Sequence, residues 1–320
     1  VSAVKNFALT GAAGYVAPRH LKAIRDTGNR LVAAVDPHDA VGVLDRYAFD
    51  VRFFTEFERF DRHLEKLRRK GEGERIDYLS ICSPNYLHDA HIRLALRVGA
   101  HAICEKPLVI NPWNLDALEE LEGETGGRVN TVLQLRLHPS LVALREQLAA
   151  GSQSQTHDVS LTYITARGPW YETSWKGSDE RSGGIVTNIG IHLFDLVLWL
   201  FGSVIACEVH TREPKRIAGF LELERARIRW FLSTNMADLP FTPEPGLKTT
   251  FRSIQIDGGE IEFSEGFADL HTRVYEEVLA GRGFGIADSR PAIELSHRIR
   301  QTPAVPVMPH LHPMIASQAS

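Results

Sequence analysis

The sequence predicts an α/β protein of two domains. The first is a doubly wound parallel sheet over residues 1–136. The second, over 137–320, is an α/β domain built on a large, mostly antiparallel open sheet. Three observations predict this. Strand-like and helix-like periods alternate up to residue 135. Two glycines, Gly11 and Gly14, stand directly after the first apolar run. Beyond residue 150, strand-like runs follow one another through short turns, with a single helix among them.

In chain order, residues 5–10 (KNFALT) read as a strand, 15–27 as a helix, and 31–35 (LVAAV) as a second strand ending at Asp36. A charged amphipathic helix fills 54–70, with Phe57, Phe60, Leu64 and Leu67 at three- and four-residue spacing. A buried strand over 76–83, a helix over 86–98 and a strand over 101–107 continue the alternation. So do a helix over 111–126, with Asn111 as N-cap and Gly126 near its end, and a strand over 129–135. A helix over 138–150 and a polar break, GSQSQTHD, open the second domain. Strands are predicted at 159–166, 205–211, 217–224, 227–234 and 252–258, with a helix at 189–201. The tail, 301–320, has prolines at 303, 306, 309 and 313 and no period, and reads as an extended strap that frays at its end. The histidines of its MPHLHP stretch are expected to pack, not to bind metal, and no metal site is predicted elsewhere.

The chain has 320 residues, 43% of them apolar, so a large core needs no staple. A net charge of −4 argues against nucleic acid or an anionic membrane as the main partner. Cys82, Cys104 and Cys207 are scattered in apolar runs and read as buried free thiols in a reducing compartment. The N-terminal stretch shows no leader pattern. The most membrane-like window, 193–207, is shorter than the ~20 apolar residues a span needs and reads as a buried helix. A cytoplasmic protein is the expectation.

Gly11-Ala12-Ala13-Gly14-Tyr15-Val16-Ala17 falls at a strand-to-helix turn. The first glycine permits a tight turn, and the second lets the backbone approach a pyrophosphate at the helix N-terminus. Ala17 is small enough for helix-on-strand packing. The loop is one residue longer than the usual G-x-G-x-x-G fingerprint, and a glycine pair alone also describes an ordinary turn. Asp36 strengthens the reading, because it ends the second strand where a Rossmann domain places an acid on the adenine ribose. A carboxylate there repels a 2′-phosphate, so NAD is expected over NADP. Gly11, Ala13, Gly14, Tyr15, Val16 and Asp36 are the candidate cofactor residues of this loop.

Strand C-termini form the ligand-facing edge of a parallel sheet. Ser83, Asn85 and His88 follow one such strand and are candidates for the nicotinamide ribose; Ser83 or Asn85 also reads as an N-cap. Glu105 and Lys106 end the next strand at the same edge and are further cofactor candidates, with Lys106 also a candidate to hydrogen-bond a substrate hydroxyl; a snorkelling surface lysine is the alternative. In GGIVTNIGIHLFD, residues 183–195, Asn188, His192 and Asp195 fall on one helical face at spacings of four and three. There His192 can take a proton from an alcohol as a hydride leaves. A metal site needs at least three convergent ligands, and asparagine is a poor one.

These motifs, GxxGxxA with Asp36, SPNxxH, EKP and GGxxxNxGxHxxD, occur in one order over nearly the full length. In that combination the chain resembles the Gfo/Idh/MocA oxidoreductase family. The resemblance implies NAD(P)-dependent oxidation of a sugar or polyol, with Lys106 and His192 as the catalytic pair. It also places Asn188 where the family has an aspartate, which removes a possible charge partner for Lys106. GAAGYVAPRH, QLRLHP, RGPWYETSWKG and RWFLS resemble the family members that oxidise C3 of UDP-N-acetyl-D-glucosaminuronic acid in bacterial surface-polysaccharide synthesis. That likeness implies a UDP-sugar substrate, a possible 2-keto acid oxidant for the reduced cofactor, and a homo-oligomer, dimer or tetramer. Lys106, Arg136, Arg167, Lys176, Asn188 and His192 are then the substrate candidates, with Arg181 flanking them; a solvated basic face is the alternative for each cation. A dehydrogenase for a free sugar or inositol, and an NAD-binding sensor without catalysis, are the competing readings.

Overall fold

The structure is a computed structural model describing residues 3–39, 41–152, 154–243, 249–261, 269–305 and 310–316. The chain divides into two compact units: Val1–Gln134 with Ala268–Arg290, and Leu135–Phe267 with Pro291–Ser320. The main division falls two residues before the expected one at 136. The expected second domain is corrected in one respect, because residues 268–290 belong to the first unit.

The first unit holds six parallel strands: β1 (Asn6–Thr10), β2 (Arg30–Val35), β3 (Arg52–Phe54), β4 (Tyr78–Ile81), β5 (His101–Cys104) and β6 (Val129–Thr131). Their spatial order is β3-β2-β1-β4-β5-β6. The chain starts at β1, winds outward to β3, then crosses back to β4. This makes the β1/β4 boundary the switch point, where the ends of two neighbouring strands leave a crevice. Every residue of β1 and β4 is buried, as strands covered on both faces require. The helices Ala17–Asp26, Phe57–Lys70, His88–Arg97 and Trp113–Thr125 connect the strands. Phe60, Leu64 and Leu67 form the buried stripe of Phe57–Lys70. Pro112, not Asn111, holds the N-cap position before Trp113. The short strand β3 was not expected and ends at Phe54, where the sequence reading began a helix. A further helix, Leu270–Leu279, lies where that reading placed none, and its Tyr275 stacks on Phe7 at 5.8 Å.

The second unit holds β7 (His157–Thr165), β8 (Val204–Glu213), β9 (Arg216–Leu223), β10 (Ala226–Ser233), β11 (Thr250–Ile256) and β12 (Gly259–Glu260), in the order β12-β11-β7-β10-β9-β8. The β7/β10 pair is parallel and the other pairs of these named strands are antiparallel. The helix Ile191–Phe201 packs Leu193, Phe194, Val197 and Leu200 into a core with Leu221, Ile228 and Trp230. Gly219 makes room for that tryptophan: a Cβ there falls 2.6 Å from the indole. The helical run Asp179–Phe201 is long and apolar enough, by length and composition, to cross a membrane, and 67% of its most apolar stretch is buried within the protein. That burial agrees with a core helix, although the apolar run is longer than the window 193–207 indicated. Another unexpected helix, Ile286–Gln301, contains the unit boundary at Pro291.

Parts of the tail form the strap. Val305 N–H donates to the Val209 carbonyl at 2.9 Å, His310 stacks on Phe220 at 4.6 Å, and His312 stacks on Phe231 at 5.6 Å. Both described histidines of MPHLHP therefore pack on aromatic rings. The end expected to fray, 317–320, lies outside the described residues.

Candidate active site

The nucleotide loop is built by close backbone approach. Gly11 has φ +81°, and a Cβ on it falls 2.5 Å from the carbonyl carbon and oxygen of Cys82 and 2.6 Å from the Ser83 nitrogen. Only glycine can turn here against the end of β4. Gly14 is tight as well, with its Cβ position 3.0 Å from the Gly11 oxygen. Gly11 N–H donates to the Val35 carbonyl at 2.9 Å, tying the loop to β2. Asp36 then closes the arrangement. Its Oδ2 accepts from Ala13 N–H and its Oδ1 from His38 N–H, both at 2.9 Å, and the residue is 7% exposed. The structure thus brings Gly11, Ala13, Gly14 and Asp36 together. Tyr15 is exposed with Arg19 over its ring, and Val16 precedes a helix that has no side-chain cap. The positive end of that helix's dipole faces the loop, which suits a dinucleotide pyrophosphate.

The edge after β4 differs from expectation at His88. Its Nδ1 lies 2.7 Å from the Pro107 carbonyl oxygen and its Nε2 2.9 Å from the Ser83 carbonyl oxygen. Both ring nitrogens face main-chain carbonyls, a neutral ring donating to one and a protonated ring to both, so His88 braces two loops and neither nitrogen is left for a ribose. Burial holds its pKa below the ordinary value, against the pull of those two carbonyls. Ser83 Oγ and Thr10 Oγ1 share the Nδ1 of His91, at 2.8 and 3.1 Å. Burial, and then His88, push His91 down to about 3, so that ring is neutral. Asn85 is buried in the short turn Asn85–Leu87 at the same edge.

Glu105 also departs from expectation. It turns inward, and its Oε1 accepts from His20 Nε2 and His271 Nε2, each at 3.0 Å. Its carboxylate is turned to the protein, where these bonds hold it. His20 Nδ1 meets the Tyr275 hydroxyl at 2.8 Å, which meets Ser80 Oγ at 2.6 Å. Lys106, half-buried, follows at the end of β5, on the strand edge that carries Gly11 and Ser83, and its peptide bond to Pro107 is cis. Sequence reasoning missed His20, His271 and Tyr275. Their signal is three polar rings on the apolar faces of the helices Ala17–Asp26 and Leu270–Leu279.

In the second unit, Gly183 and Gly184 take φ of +79° and +67°, where an L side chain is strained. They lead into a wide π turn, Val186–Gly190, and then the helix Ile191–Phe201. Wide turns of this kind concentrate at functional sites. Asn188 Nδ2 donates to the Tyr171 hydroxyl at 3.1 Å. Asn188 and His192 are half-buried, whereas Asp195 is 3% exposed. Asp195 pairs with Arg136: Nη2 is 2.7 Å from Oδ1 and Nε 3.1 Å from Oδ2. Arg136 therefore braces the motif helix through Nε and Nη2. Lys176 Nζ lies 5.7 Å from the ring centres of both Trp170 and Trp175. Burial, and then the charge of Arg167, hold Lys176 below the usual lysine range. Two repelling cations beside exposed indole suit an anionic ligand. Arg181 is exposed and its N–H caps onto Ser178.

Known proteins share this pattern. The oxidoreductase family NAD-binding Rossmann fold (GFO_IDH_MocA) matches residues 5–132, and the oxidoreductase family C-terminal alpha/beta domain matches residues 146–237. The chain is similar to the WlbA (WbpB) dehydrogenase of Thermus thermophilus in complex with NAD and UDP-GlcNAcA. Identity is 52% and the TM-score 0.91, over 97% of this chain and 99% of that one. A second structure from that organism, with NAD and alpha-ketoglutarate, matches at 53% identity and TM-score 0.90, over 97% and 99%. Inositol 2-dehydrogenase of Rhizobium meliloti is 28% identical over 202 residues, 62% of this chain and 55% of that protein. The match thus spans about half the length of that curated relative.

Proposed function

The chain belongs to the Gfo/Idh/MocA oxidoreductase family, and on that premise we propose that it oxidises the C3 hydroxyl of UDP-N-acetyl-D-glucosaminuronic acid with NAD, giving the 3-keto sugar nucleotide. The observation that carries this reading is the full-length similarity, at 52% identity, to a dehydrogenase whose structure holds NAD and UDP-GlcNAcA. The residues fit the cofactor: Gly11 permits the close loop, and the Asp36 carboxylate disfavours a 2′-phosphate. NAD, when bound, supplies the hydride acceptor.

In this reading Lys106 donates a hydrogen bond to the 3-hydroxyl oxygen and orients it. His192 takes the hydroxyl proton as the C3–H bond breaks. Arg167 and Lys176 supply positive charge for the diphosphate or the uronate carboxylate. The alpha-ketoglutarate complex of the Thermus protein supports a 2-keto acid as oxidant for the reduced cofactor. A homo-oligomer working in the cytoplasm, and a product passed to transamination in lipopolysaccharide sugar synthesis, complete the proposal.

The test is NADH formation with UDP-GlcNAcA, UDP-GlcNAc, UDP-glucuronate and myo-inositol, with borodeuteride trapping to place the new carbonyl. Turnover of UDP-GlcNAcA with deuterium at C3 is expected. Turnover of inositol alone, the reading that the Rhizobium relative favours, overturns the substrate. NAD binding with no turnover of any sugar makes the protein a sensor.

A further inference from the structure

Glu105 is a carboxylate buried one residue before Lys106, and the structure accounts for each of its bonds. Oε1 receives the Nε2–H groups of His20 and His271, and Oε2 receives the main-chain N–H of Lys106 at 3.3 Å. With Nε2 protonated, His20 Nδ1 accepts from the Tyr275 hydroxyl, which in turn accepts from Ser80. The chain of bonds closes with a neutral His20 and an ionised Glu105. Burial alone would raise the carboxyl, but the hydrogen bonds from His20 and His271 override it and hold Glu105 well below the usual range. Burial likewise keeps His20 neutral. The three donor atoms lie within 4.8 Å of one another, a spacing a divalent cation also tolerates, yet hydrogen bonds satisfy each of them.

We propose that Glu105 is a positioning residue that presets both the backbone and the charge of Lys106. The proposal rests on Lys106 as the group that meets the substrate. The two residues beside the lysine are clamped: Glu105 by the two imidazoles, and the Pro107 carbonyl by His88. Only the lysine between them is half-exposed. Partial burial and a cationic nicotinamide both work to strip its proton, and a fixed carboxylate opposes them. Several groups face Glu105. His20 comes from the helix Ala17–Asp26, with Arg19 beside it; His271 and Tyr275 come from Leu270–Leu279. Cys82 and Cys104 follow or end β4 and β5, and His88 comes from His88–Arg97. Burial raises both thiols and Tyr275, so none of these carries a negative charge and Glu105 supplies it.

The experiment is the pH profile of kcat/KM for UDP-GlcNAcA oxidation by the full chain and by Glu105→Gln. The basic limb, where Lys106 loses its proton, should move down by about one pH unit, with the acidic limb fixed. Glu105→Asp, which keeps the charge, should restore the limb at reduced rate. A fall in amplitude with both limbs in place overturns the proposal. Lys106→Ala separates the two readings: full turnover in that variant removes the lysine from the chemistry, whatever Glu105→Gln does. If Glu105→Gln fails to fold, as judged by circular dichroism, His271→Leu should move the same limb in the same direction by less, and His271→Gln should restore it. Stoichiometric zinc binding that His271→Leu abolishes also overturns the proposal, because the trio then serves an ion.

Discussion

Arg136 grips Asp195 side by side, with paired hydrogen bonds of 2.7 and 3.1 Å and less than a tenth of either side chain exposed. Such a fork fixes the azimuth of the motif helix, because a bidentate pair tolerates little rotation. Breaking it from one side leaves a buried charge, so Arg136→Ala should cost about 3–5 kcal/mol in urea unfolding. The double change Arg136→Met with Asp195→Leu should recover most of that. A stable Arg136→Ala protein with a raised substrate KM would return the arginine to the substrate.

Asp36 should set cofactor choice. Its carboxylate occupies the end of β2 and already orders the loop through Ala13. Replacing it by serine removes charge-assisted bonds worth about 1.5–3 kcal/mol, so kcat/KM for NAD should fall roughly 10–100-fold. The value for NADP should fall less or rise. Parallel kinetics with both dinucleotides check this.

Lys106→Ala and His192→Ala should each lower turnover by about 10²–10⁴ while NAD affinity, measured by fluorescence titration, changes less than about twofold. In the proposed reaction both act at the substrate hydroxyl, whereas Asp36 acts on the adenosine half of the cofactor.

Lys176 should act on binding and little on chemistry. Its ammonium lies 5.7 Å from the centres of two indoles, and Lys176→Met keeps an unbranched side chain there while removing the charge. The KM for the UDP-sugar should rise about tenfold with kcat nearly unchanged.

Acid should weaken the first unit through His91. Its folded pKa is about 3, against about 6.5 in an unfolded chain, so the unfolded state binds the extra proton between those values. Stability is complete above pH ~6.5 and drains as pH falls toward ~3, by up to about 4–5 kcal/mol. Urea unfolding at pH ~7 and pH ~4 measures the loss, and His91→Gln should shrink the difference between them.

The parallel sheet was legible because strands buried on both faces leave largely apolar runs, as in LVAAV and HAIC. β3 was not, since three residues at a half-exposed edge carry no period. The stripe Leu270, Val274, Tyr275, Val278 is visible as a helix in retrospect. Nothing local in it says which unit it joins, because periodicity marks a buried face and not its partner.

At the site, Gly11 and Asp36 could be read because a backbone constraint admits few residue types. Arg136 and His88 could not, since charge or ring chemistry is the same whether it meets a ligand or the protein itself. The π turn that carries Asn188, and its bond to the Tyr171 hydroxyl, could not be read from the spacing of Asn188, His192 and Asp195, because spacing alone does not distinguish a π turn from an α turn.

Residues 268–290 return to the first unit after the whole of the intervening sheet has been made. Until they leave the ribosome, Glu105 lacks His271 and Phe7 lacks the ring of Tyr275. At about 5–20 residues per second, that wait lasts on the order of ten to thirty seconds. A nascent chain stalled near residue 150 should therefore expose an unfinished nucleotide fold to chaperones and proteases, and a gene fragment cut at the apparent domain border should not yield a sturdy protein.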